Sequence, residues 1–266
     1  MLGQSAGASS ILHHITAAGG RKHGWPSFPP AFQSAILQSP GFFPEGNPKE
    51  TDDTYKEFLK LTNSTDFYDL QNKSTEALKA ANAKMTYLSQ YGLFRFGPSV
   101  DQRFVADLPG KELAAGNHHK GISLMIGHTQ RDGLVFTPPW LRTNGELRNY
   151  TQYLFPNMSS DNLDKLSTVG MYRIPEWIKD PKEQIRRVFD MLDDVAISCN
   201  NYFLTKAFLK VEGLDARPLY RFVFNKFPAI HGADVNYTVR RLNPKLHTKS
   251  RKISVTNSSD AVLAQR

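Results

Sequence analysis

A single cysteine, Cys199, occurs in the 266 residues, so no disulfide can close within the sequence. Disulfide-stapled mini-domains and cysteine-rich zinc modules are thereby excluded. No apolar run approaches the roughly 20 residues that a bilayer-spanning helix requires. Internal repeats and low-complexity segments are also missing, which excludes solenoids and repeat arrays. Positive charge is in excess, 33 Lys plus Arg against 25 Asp plus Glu, but outside residues 240–252 it is dispersed. No nucleic-acid-binding motif accompanies it, so no nucleic-acid partner is expected. The basic run at 240–252 reads either as a polyanion-binding arm or, preferably, as a solvated tail. The histidine pairs His13-His14 and His118-His119 are adjacent, and neighbours on a helix point in different directions. A metal site there is not expected, and no cofactor motif is present.

What the sequence does contain is concentrated at its start. Gly3-Gln4-Ser5-Ala6-Gly7 has the Gly-x-Ser-x-Gly pattern of a sharp strand-to-helix turn that lifts a serine hydroxyl out of the chain. Glycine at 3 and 7 is expected because the turn crowds backbone against backbone. Ala8, Ile11, Leu12 and Ile15 follow at i, i+3, i+4, i+7 spacing, which predicts a helix directly after the serine. Ser5 as an ordinary helix N-cap is the plainer alternative.

A serine nucleophile needs a base and an acid, and in α/β folds these follow in the order Ser, acid, His on loops after later strands. Residues 122–126 form an apolar strand that runs into Gly127-His128-Thr129-Gln130-Arg131-Asp132-Gly133, placing Asp132 just beyond it. Leu219 to Phe224 alternates as a strand does and leads to His231-Gly232-Ala233-Asp234. Asp-Gly also marks plain turns, His231 also suits a surface loop, and Asp234 reads as structural.

These segments, with Ala35-Ile36-Leu37-Gln38-Ser39-Pro40, resemble the type B carboxylesterase/lipase family of cholinesterase-like α/β-hydrolases, and most closely its secreted fungal members. The order and spacing of all four segments carry the resemblance across nearly the whole chain. It implies an α/β fold, Ser5 as nucleophile, Asp132 as acid, His231 as base, the Ala6 N–H as oxyanion donor, a carboxylic ester or lipid substrate, and no cofactor. The family usually has Glu where Asp132 stands. Its earlier Gly-rich oxyanion loop has no counterpart, since neither His-Gly-Gly nor Gly-Gly-Gly occurs here. Gly19-Gly20 follows the serine and reads as a helix-terminating loop.

The expectation is therefore an incomplete α/β-hydrolase domain, truncated before the nucleophile and within a last helix at 257–266, with weak or no activity; the alternatives are a non-catalytic binding or adhesion protein and a non-functional truncated gene product. Its layout reads as elbow, helix and strand at 1–45, helices at 46–120, acid strand and loop at 121–137, a helical pocket wall at 138–215, histidine strand and loop at 216–240, and a basic tail at 241–266. Within it, helices are predicted at 54–61, 75–88, 184–191 and 195–211. The aromatics of 136–140 and 174–177 suit either a substrate wall or packing on the sheet. Cys199 reads as a buried thiol, or, as the resemblance implies, as a half-cystine whose partner lies in a missing C-terminal region.

Compartment can be read from Asn-x-Ser/Thr sequons. Six occur, at Asn63, Asn72, Asn149, Asn157, Asn236 and Asn257, where 15 Asn and 35 Ser plus Thr predict about two by chance. That excess predicts a glycosylated, secreted protein whose leader is lost with its N-terminus.

Overall fold

The computed structural model describes residues 1–21, 31–41, 48–92, 95–167, 170–173, 175, 177–178, 180–213, 216–238 and 264–265. Four parallel strands form the sheet in sequential order: β1 (Leu2–Gln4), β2 (Ser34–Gln38), β3 (Ser123–Thr129) and β4 (Leu219–Phe224). The short β5 (Ala264–Gln265) adds antiparallel to β4, so residues 264–265 are strand and not the helix expected there. The basic run at 240–252, Asn257 and the remainder of that expected helix lie outside the described residues.

Parallel strands are buried on both faces and read as near-continuous apolar runs. Accordingly Leu37, Ile122, Leu124 and Ile126 are almost wholly inaccessible. Register fixes the layout of the sheet's carboxyl edge: Gln4 pairs with Gln38, Gln38 with Gly127 and Thr129 with Phe224. The residue after each strand therefore emerges along one rim, the usual place for ligands in open α/β sheets.

α1 (Ala6–Ile15) lays the predicted face on the sheet, with Ala8, Ile11, Leu12 and Ile15 between 0% and 2% exposed. α9 (Cys199–Leu209) adds Leu204, Ala207 and Phe208 to the same core. α2 (Pro48–Thr62), α3 (Phe67–Gln71), α4 (Thr75–Leu88) and α5 (Pro109–Ala114) fill the stretch before β3. α4 has the predicted bounds, with Ser74 capping its N-terminus through the Ala77 N–H. α2 is longer than the predicted 54–61. Its first turns are polar, held by the exposed Lys49–Asp53 pair, and show no apolar period.

α6 (Asn144–Leu154), α7 (Ser160–Ser167) and α8 (Pro181–Asp193) build a second core from Leu147, Tyr150, Leu154, Val188, Met191 and Leu192. α6 opens on a capping box in which Thr143 and Glu146 bond each other's backbone N–H. Between α8 and α9 the backbone passes through a π-helical turn, Asp194–Ser198, a departure from α-geometry that often accompanies function.

Two buried histidines give the core a pH dependence. Burial is the main force pushing the imidazoles of His13 and His118 down to about 4 from 6.5, at 5% and 4% exposure. Their charged neighbours, His14 for one and Lys120 with His119 for the other, act in the same direction. The unfolded chain takes up these protons near pH 6.5 and the folded chain only near 4, so unfolding is favoured as pH falls through that window. The stability involved is on the order of 3 kcal/mol per residue, complete above pH 6.5. Urea melts should show that loss between pH 7 and pH 4.5, and His118→Phe should flatten part of it. An unchanged slope in the variant would show that His118 does not contribute.

Candidate active site

The turn between β1 and α1 has the backbone that a presented serine requires. Ser5 sits at φ 56° and ψ −123°, a strained combination for a non-glycine residue. Its N–H donates to the Gln38 carbonyl at 2.9 Å, pinning the turn to the end of β2. Its side chain makes no cap hydrogen bond to α1, which removes the ordinary N-cap reading. Gly3 is required: a Cβ there would lie 2.5 Å from the carbonyl carbon and oxygen of Gly7. Gly7 is not required in that way, because a Cβ at that position meets nothing within 4 Å. The expected crowding thus acts on one glycine and not on both. The Ala6 N–H belongs to the first turn of α1, whose amides have no acceptor within the helix.

Asp132 opens a 3-10 turn, Asp132–Phe136, three residues beyond β3 and is fully buried. One carboxylate oxygen, Oδ2, accepts from the Thr129 N–H at 2.8 Å and from the Ser39 hydroxyl at 2.9 Å. The other, Oδ1, meets Nδ1 of His231 at 2.6 Å. With a charged carboxylate as acceptor, the proton of neutral His231 resides on Nδ1 and leaves Nε2 as a base. Phe136 presses edge-on against the imidazole, with ring centroids 5.0 Å apart.

His231 arrives on the loop after β4. That loop is tied down by an Arg131–Ile230 bridge and by Asp234, whose Oδ2 accepts from the Gln38 side chain at 2.8 Å. Nε2 of His231 faces the Gln4 side-chain amide at 3.2 Å, and no hydrogen bond joins His231 to Ser5. The structure therefore brings Asp132 and His231 into direct contact and sets Gln4, the residue before Ser5, against the Nε2 edge of the ring.

Gln4, Ser39 and Asp193 escape the sequence reading. Asp193 ends α8, accepts from the Gly133 N–H at 3.1 Å and from the Ser198 hydroxyl at 2.9 Å, and so braces the Asp132 turn from behind. Gln4 and Ser39 lie inside motif segments, yet nothing in their spacing tells what their side chains meet. Cys199 is free and exposed, contrary to the buried thiol considered from sequence. Partial desolvation and the neighbouring Asp194 and Asp193 push its thiol up, which disfavours the reactive thiolate. Trp140 and Trp177 are 58% and 77% exposed, so neither is packed into the sheet. Among the described residues no group of three or more His, Cys, Asp or Glu side chains is placed to hold a metal.

A sharp serine turn and a His–Asp pair on the rim of a parallel sheet define part of an α/β-hydrolase fold. The profile of the carboxylesterase family matches residues 1–263, and the chain belongs to that family. It is 25% identical over 235 residues to a protein named Carboxylesterase patB of Aspergillus clavatus, covering 88% of this chain and 40% of that one. A protein named Secreted lipase of Arthroderma benhamiae is 26% identical, with 88% and 42% covered. Among solved structures, Aspergillus niger EstA superposes with a TM-score of 0.68 at 17% identity, covering 88% of this chain and 46% of the other. The chain thus spans about 40% of the length of the curated relatives it matches.

Proposed function

We propose that the chain is the triad-bearing part of a serine hydrolase that cleaves carboxylic esters through an acyl-enzyme. The observation that carries this reading is the 2.6 Å contact between His231 Nδ1 and buried Asp132, with Nε2 of the same ring against Gln4, the residue before a serine held in a strained turn. In the proposed reaction the Ser5 hydroxyl attacks the ester carbonyl while Nε2 of His231 takes its proton. Asp132 orients the ring and stabilises the imidazolium, and the Ala6 N–H donates to the developing oxyanion. The leaving alcohol receives the proton from His231, and water then repeats the sequence on the acyl-serine. Phe136 supplies an apolar wall beside the imidazole, fitting an acyl or alkyl group.

Secretion and glycosylation belong to the same reading. One relative is named a secreted lipase, and the five described sequon asparagines, Asn63, Asn72, Asn149, Asn157 and Asn236, are all exposed. No described helix is long and apolar enough to cross a membrane. A non-catalytic binding role is the second reading, favoured by the Gln4 amide standing where the Ser5 hydroxyl must meet Nε2.

A fluorophosphonate probe separates the two. The protein secreted from a fungal host should lose mass on endoglycosidase treatment and should label at Ser5, with Ser5→Ala unlabelled. Failure of folded protein to label would favour the binding role. An unchanged mass would remove the glycosylation.

A further inference from the structure

The turn that carries Asp132 rests on α8 more closely than any side chain would allow. A Cβ on Gly133 would lie 2.2 Å from the Phe189 carbonyl oxygen and 2.5 Å from the Asp193 nitrogen. Against that bare backbone stands one carboxylate whose two oxygens are both engaged. Asp193 Oδ1 takes the N–H of Gly133, the residue after Asp132, and Oδ2 takes the hydroxyl of Ser198. The first bond joins residues 60 apart in sequence, and it binds the acid turn directly to α8. The second fastens Asp193 across the π-helical turn.

This is an unfavourable place for a carboxyl. Burial is the main force pushing Asp193 up to about 6, with the nearby charge of Asp132 acting in the same direction. Ser198, His128 from β3 and the Gly133 N–H act in the opposite sense. Asp193 also lines a cavity of about 500 Å³, together with Arg186, Arg187, Glu183, Asp190 and Asp194. Asp194 is held away by the Tyr172 hydroxyl at 2.5 Å. A neutral acceptor at 193 would hold Gly133 without placing a second negative charge beside Asp132. A half-buried charge that costs stability while touching the Asp132 turn indicates a role in the site.

We propose that Asp193 is a positioning residue that holds the Asp132 turn so that Oδ1 of Asp132 meets His231. It rests on the hydrolase reading for its consequence in rate, but not for its geometry. A misplacement of about 1 Å at such a contact costs roughly 10²-fold in rate.

The test is the Nδ1–H proton of His231, observed by NMR in the 266-residue chain labelled with 15N-histidine. A short bond to a carboxylate moves this proton far downfield, and Asp132→Asn identifies it by its loss. The resonance should persist in the unaltered chain and in Asp193→Asn, whose amide oxygen still accepts from Gly133. It should vanish in Asp193→Ala, with a fall of roughly 10²-fold in the rate of Ser5 labelling by a fluorophosphonate. Retention of resonance and rate in Asp193→Ala overturns the proposal, as does their loss in both variants. Should Asp193→Ala fail to melt cooperatively, Ser198→Ala, which removes one of the two donors, decides by a broadened or an unchanged signal. If the resonance responds to Asp193 while Ser5 never labels in any chain, the hydrolase reading falls and the positioning role stands.

Discussion

Asp132→Asn is expected to lower kcat for ester hydrolysis about 10⁴-fold while leaving KM within a small factor of its original value. The expectation follows from where the two carboxylate oxygens are committed. Oδ2 is held by the Thr129 N–H and the Ser39 hydroxyl, and Oδ1 has the imidazole of His231. An asparagine in that frame must face the ring either with its oxygen, which keeps the tautomer but not the charge, or with its NH₂. In the second orientation the amide donates to Nδ1 and moves the ring proton to Nε2, where it can no longer accept from Ser5. Either way the imidazolium formed in the transition state lacks its counter-charge. Asp132 is fully buried behind His231 and its oxygens are already committed, so the loss is expected in kcat. Steady-state kinetics on an activated aryl ester check it, and a loss confined to KM would place Asp132 outside the reaction.

How much of this site is legible in the sequence depends on the range over which each residue acts. The serine turn and α1 are legible because their determinants are neighbours: Gly3 clears Gly7, and Ala8, Ile11, Leu12 and Ile15 repeat on one face. That Asp132 and His231 meet could be anticipated because each follows an apolar strand, and parallel strands end on a common rim. What the sequence conceals is contact between distant residues. Gln38 reaches Asp234 across 196 positions and Gln4 reaches His231 across 227, and no periodicity encodes such pairs. Asp193 is hidden for the same reason, in a helix whose apolar face points to the second core.

Some elements carry local signals that the reading by apolar period passes over. The Thr143-x-x-Glu146 capping box announces α6 without a strong apolar period before it. The π-helical turn between α8 and α9 has no comparable mark. The glycine at 7 shows the reverse failure, since a motif position is read as steric when nothing described here fills the space beside it.

The second large effect concerns what stands opposite Ala6. Acyl transfer is stabilised by donors aimed at the oxyanion, and loss of one costs about 10²–10³ in rate. The sequence contains no Gly-rich oxyanion loop, and the Ala6 N–H is the one donor that the proposed reading assigns. Among the described residues β1 lies at the end of the sheet order, paired with β2, and Leu2 in it and Met1 just before it are 49% and 56% exposed. An exposed apolar edge strand of this kind is a template for another strand. Joining in frame before Met1 a segment that carries the Gly-rich loop implied by the family resemblance should therefore do two things. It should cover the β1 edge and raise hydrolysis of an activated short-chain aryl ester by two orders of magnitude or more over the 266-residue chain. Ser5→Ala in the joined protein should return the rate to background. A joined protein that is soluble, melts cooperatively and is no faster than the chain alone would show that the oxyanion site is not what limits it. The Gln4 contact with His231 Nε2 would then be the group to displace.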